Sequence, residues 1–88
     1  MKPPIKLKSL ETIKQKSIKT GNGLDCFIAL AGGLMRSSKN IYWNGKKYKI
    51  LNEIDGTTQN LTEKQIFDER YTNIGKALKV GALYQYNF

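Results

Sequence analysis

Eighty-eight residues with fifteen Lys and Arg against seven Asp and Glu, a net charge of +8, make one basic domain over 1–88 and leave no room for a second independent core. A single cysteine and no histidine exclude an intramolecular disulfide, a Cys/His zinc site, a Cys–His pair and histidine-based acid–base catalysis. The 40% apolar and 25% charged fractions suit a small folded core, and the ten-residue apolar run from Cys26 to Met35 falls short of the roughly 20 residues a membrane helix needs.

The chain opens on Pro3-Pro4 interleaved with Lys2, Lys6 and Lys8, so residues 1–8 read as a flexible arm. No apolar stretch with a small-residue cleavage site follows this basic start, and the expectation is a cytoplasmic protein. Ser9 then offers an N-cap, Leu10, Ile13 and Ile18 recur near helical spacing, and Gly21 provides a stop, which predicts a helix over 10–19. Lys14, Lys16 and Lys19 fall off that apolar stripe.

Gly21-Asn22-Gly23 is a turn. The apolar run after it suits a buried strand or a buried helix: the bounding glycines favour a strand over 25–31, while Ala29 and Ala31 favour a helix. Either way Cys26 reads as a small buried hydrophobe. Gly32-Gly33 followed by Arg36, Ser37, Ser38 and Lys39 is a loop with the donors to hold an anion. It is no P-loop, because the glycine that must precede the lysine is missing.

Residues 38–55 carry the clearest pattern in the chain. Asn44-Gly45 between aromatic and β-branched residues predicts a two-residue type I′ hairpin, with Trp43 opposite Lys46, Tyr42 opposite Lys47, Ile41 opposite Tyr48 and Asn40 opposite Lys49. Alternation puts Ile41, Trp43, Tyr48, Ile50 and Ile54 on a core face, and Asn40, Tyr42, Lys47, Lys49 and Leu51 on the opposite one. After a turn at Asp55–Thr58, Thr62 and Gln65 form a capping box with Leu61 and Ile66 as its hydrophobic staple, predicting a helix over 63–70. Thr72 or Asn73 caps a further helix over 74–80 with Ile74, Ala77 and Leu78 as its apolar face; Gly75 weakens it by roughly 1 kcal/mol relative to alanine. The tail alternates, with Tyr84, Tyr86 and Phe88 on one side, as an edge strand or an aromatic anchor would.

These elements add up to a small α+β domain: a three-stranded antiparallel sheet from 25–31, 38–43 and 46–54, centred on the Asn-Gly hairpin, with about three short helices on one face. No catalytic constellation, metal-ligand spacing or cofactor motif is present, so the expectation is a non-enzymatic protein without metal or cofactor. The expected partner is a polyanion. Tyr42 beside Lys47 and Lys49, with Arg36, Ser37, Ser38 and Lys39 at one end, is a minimal stacking platform with phosphate contacts, suited to single-stranded nucleic acid. The alternative is a small adaptor or inhibitor that docks on an acidic surface of a larger protein, with the aromatic tail as anchor.

Overall fold

The computed structural model describes residues 3–29 and 36–86. In chain order its elements are β1 (Ile5–Lys6), α1 (Glu11–Thr20), β2 (Leu24–Ala29), β3 (Arg36–Trp43), β4 (Lys47–Asn52), β5 (Thr58–Thr62), α2 (Glu63–Ile66), α3 (Asn73–Val80) and β6 (Leu83–Gln85). The strands form one antiparallel sheet in the order β1-β6-β2-β3-β4-β5. The α+β class holds, but among the described residues the sheet has six strands and not three.

The hairpin turns differently from its Asn-Gly signal. Gly45 has φ 98°, yet Asn44 stays at negative φ, so the turn is not type I′. Asn44 Oδ1 instead accepts the N–H groups of Lys46 and Lys47, both at 2.8 Å, and Asn44 N–H closes onto the Lys47 carbonyl at 3.1 Å. The longer loop moves the register by two residues: Trp43 faces Tyr48, Tyr42 faces Lys49 and Ile41 faces Ile50. Apolar cross-strand pairs drive this. Trp43 and Tyr48 bring their ring centroids to 4.5 Å, where the predicted register would have set Trp43 against a lysine. A shift of two leaves every side chain on its expected face, because the strand period is two. Ile54 is the exception: it lies beyond β4 in the turn and is 68% exposed.

The run after Gly23 is a strand. Leu24, Cys26 and Ile28 point into the core, joined by Ile41, Tyr48, Ile50, Leu61 and Leu83 from the other strands. Helices α1, α2 and α3 cover that face through Ile13, Ile66, Ile74 and Ala77. In α1 the buried stripe runs through Ile13 and Ser17, whose Oγ accepts the Trp43 N–H at 3.0 Å, while Ile18 is 75% exposed. The capping box is complete, Thr62 Oγ1 taking the Gln65 N–H at 3.1 Å and Gln65 Oε1 the Thr62 N–H at 3.0 Å. Yet α2 stops after one turn instead of running to 70. Asp68 accepts the Arg70 N–H at 3.0 Å and the Arg70 guanidinium at 2.7 Å, a local alternative to helical hydrogen bonding. That ion pair holds the Asp68 carboxyl down at about 2.

The N-terminal segment joins the sheet: Ile5 and Lys6 pair with Gln85 and Tyr84, and Leu7 is buried. Consequently β6 lies between β1 and β2 and is not an edge. Among the described residues no helix is long and apolar enough to cross a membrane.

Candidate functional site

The three helices pack on one side of the sheet, and among the described residues no helix covers the other. Register places Asp25, Phe27, Ser38, Asn40, Tyr42, Lys47, Lys49, Leu51, Asn60 and Tyr84 on this open side. Tyr42 sits directly opposite Lys49. Continuing the β2–β3 register by one residue sets Gly23 on the other flank of Tyr42. A Cβ at Gly23 would fall 2.1 Å from Asn40 Oδ1 and 2.9 Å from the Ile41 carbonyl oxygen, so only glycine fits there. The space beside the Tyr42 ring becomes a cleft of about 370 Å³ lined by Gly21, Asn22, Gly23, Asn40, Tyr42, Lys49 and Leu51. An aromatic ring, a cation, two carboxamides and an apolar floor meet in it.

Of the residues singled out in the sequence, Tyr42 and Lys49 line this cleft and Lys47 shares its face of the sheet, the two lysines exposed and Tyr42 half-buried. Ser38 shares their face but is engaged elsewhere: its Oγ lies 2.7 Å from the Tyr86 hydroxyl. Lys39, one residue out of phase, belongs to the helix side, where it lines a separate cleft with Gln59 and the segment from Glu69 to Asn73. Arg36 and Ser37 begin β3, paired with Ala29 and Ile28. Gly32, Gly33 and Phe88 lie outside the described residues, and the half of the expected anion loop that is described, residues 36–39, is not a loop but the start of β3, its backbone taken up by pairing with β2. Tyr84 and Tyr86 flank Phe27, which is only 2% exposed despite facing away from the helices, with ring centroids at 5.4 and 4.7 Å.

The fold also brings in a feature that sequence reasoning missed. Residues 36–49 hold five basic groups and no acidic one, yet Asp25 arrives from β2 and Glu53 from the end of β4. Asn40 Nδ2 donates to Asp25 Oδ1 at 2.8 Å. Burial raises the Glu53 pKa, and the hydrogen bond to Asp25 and its charge raise it further. Pairing β2 with β3 from the sequence would have revealed Asp25, because its parity matches that of Asn40 across the ladder. A raised folded pKa means that Glu53 stabilises the fold fully only below the ordinary carboxylate pKa of about 4.3, and that this contribution is lost as pH rises through the folded value. Glu53→Gln, which is neutral at every pH, is therefore expected to melt above the parent at neutral pH, with the difference closing below about pH 4. Thermal melts at both values check this; an unchanged difference would remove the carboxyl pair as its cause.

Cys26 is fully buried on the helix side, its thiol pushed up to about 12 chiefly by burial, which keeps it protonated and poorly nucleophilic. Among the described residues no group of three or more Cys, His, Asp or Glu is placed to hold a metal ion. No family model, curated protein or solved structure matches the chain.

Proposed function

We propose that the protein is a small non-enzymatic accessory protein that binds single-stranded nucleic acid on the open face of its sheet. The observation that carries this reading is the cross-strand pair Tyr42–Lys49 lining one cleft, with Lys47 two residues along the same strand and Gly23 and Asn40 completing the lining beside the ring. A base stacks on Tyr42, while Lys49 and Lys47 contact successive phosphates. The net charge of +8 draws a polyanion toward the surface. The carboxyls of Asp25 and Glu53 confine phosphate tracking to the hairpin end of β4, at Lys47 and Lys49, since a phosphate over them would meet like charge.

Fluorescent single- and double-stranded oligonucleotides, titrated over a salt series, test the reading. Binding that prefers the single strand and falls steeply with salt is the expected result; no binding at low salt overturns it. Lys47→Ala/Lys49→Ala is expected to fold normally and to reduce the slope of log K against log salt by about 1.4, at ~0.7 per phosphate contact on a single strand. Tyr42→Ala is expected to cost about 1–3 kcal/mol of affinity with the slope nearly unchanged, as loss of stacking predicts. A lysine double variant with the parental slope would remove the sheet face from consideration.

A further inference from the structure

The outer edge of β5 carries backbone groups that the fold leaves unused. Asn52 N–H donates to the Thr57 carbonyl at 2.8 Å, and hydrogen-bonded pairs alternate along an antiparallel ladder. Gln59 and Leu61 therefore turn their backbone groups toward β4, opposite Ile50 and Tyr48, while Thr58, Asn60 and Thr62 turn theirs outward. The Thr62 N–H confirms the phase, since it bonds to Gln65 Oε1 and not to β4. The N–H and C=O of Thr58 and Asn60 remain: two donors and two acceptors on one line, with no hydrogen-bond partner among the described residues.

Edge strands in folded proteins are ordinarily blunted by brevity, proline, lysine or a bulge. The other edge follows that habit, with β1 only two residues long, containing Lys6 and preceded by Pro3-Pro4. The β5 edge does not. From Gly56 to Thr62 there is neither a charge nor a proline, and the pairing with β4 runs without a bulge.

We infer that this edge is a docking line for an extended acidic segment of a partner protein, added as a seventh strand. Charge selects the occupant. Lys49 stands opposite Asn60 and Lys47 opposite Thr62, both on the open side and both exposed. An added strand lies two strand spacings from β4, about 10 Å, so a Glu or Asp pointing to the open side is within reach of either lysine. A second copy of this chain would instead bring the same lysines and a net charge of +8 against their duplicates. Backbone bonds would supply the affinity and the lysines the preference for acidic side chains. Because the lysines also serve the proposed nucleic-acid face, the two ligands exclude one another.

The test uses a short capped fluorescent peptide of alternating Glu and Val, titrated at low salt against the parent and Asn60→Pro. Proline there removes an outward N–H and leaves each β4–β5 hydrogen bond in place. Binding of the peptide is expected to weaken about tenfold or more in Asn60→Pro, while oligonucleotide binding is unchanged, which separates this edge from the sheet face. Equal peptide binding by parent and variant, or none by the parent, overturns the inference. So does a parent dimer that Asn60→Pro dissociates, which would assign the edge to a second copy. Amide exchange on the parent decides the matter without any variant: the Thr58 and Asn60 amides are expected to slow when the peptide binds, and unchanged exchange rates overturn the inference.

Discussion

Tyr48→Ala is expected to lower the free energy of unfolding by about 3–5 kcal/mol, the usual result of truncating a large buried ring. Tyr48 is wholly inaccessible, sits between Trp43 and Leu61 in the strand register, and belongs to the cluster that holds all three helices on the sheet. The domain's stability should be about 5–10 kcal/mol, so such a loss takes a large part of it. It should lower the melting temperature by more than about 10 °C in a chain of this size. The companion Tyr48→Phe should stay within about 1 kcal/mol of the parent, because the hydroxyl it deletes is buried and has no hydrogen-bond partner among the described residues. Burial raises the Tyr48 pKa, partly offset by the Lys14 ammonium, which is itself held by Glu63 and lies 4.8 Å from the Trp43 ring centroid. The pair of variants separates the ring from its oxygen. An alanine variant that melted within a degree of the parent would place Tyr48 on the wrong face of the sheet.

That face was legible because alternation survives errors of turn type. The Asn44-Gly45 signal pointed to a two-residue loop, and the register moved by two, yet Tyr42, Lys47 and Lys49 kept their side and Trp43, Tyr48 and Ile50 kept theirs. Lys39, expected in a loop at one end of that face, fell on the other side by the same rule, because β3 already begins at Arg36. What the sequence concealed was long-range pairing. In β5 only Leu61 is buried, so Thr-Gln-Asn-Leu-Thr shows almost no apolar alternation and resembles the turn before it. In β6 the alternation was visible, but whether it forms an edge or an interior strand depends on Cys26 meeting Gln85 and Lys6 meeting Tyr84, contacts that join opposite ends of the chain. The acidic pair on the open face was hidden for the same reason: Asp25 and Glu53 are distant in sequence and become neighbours only once β2, β3 and β4 are aligned.

The last expectation reverses the sign that helix propensity assigns. Gly75 lies inside α3 at an ordinary helical φ, and an alanine there would be favoured by roughly 1 kcal/mol in an isolated helix. In the fold, however, a Cβ on Gly75 would stand 2.6 Å from the Phe67 carbonyl oxygen, 2.7 Å from its carbonyl carbon and 2.9 Å from its Cα. These are backbone atoms at the end of α2, held by the capping box and by the Asp68 N–H bond to the Gln65 carbonyl at 3.0 Å, so they cannot swing aside as a side-chain tip would. The helix must move instead. Moving α3 lifts Ile74 and Ala77, which are 0% and 3% exposed, from their seats against the sheet. Overpacking of this kind costs about 1–3 kcal/mol, and three backbone clashes place Gly75 toward the upper end, so the steric cost outweighs the propensity gain. Gly75→Ala is expected to melt several degrees below the parent. Lys76→Ala, an exposed change on the same helix, is expected to stay within about 0.5 kcal/mol. Thermal unfolding of the two variants beside the parent decides between local and tertiary control of this position. A Gly75→Ala protein that melted higher than the parent would mean that α3 does not rest on the Phe67 backbone, and that the glycine is there only as a weak helix residue.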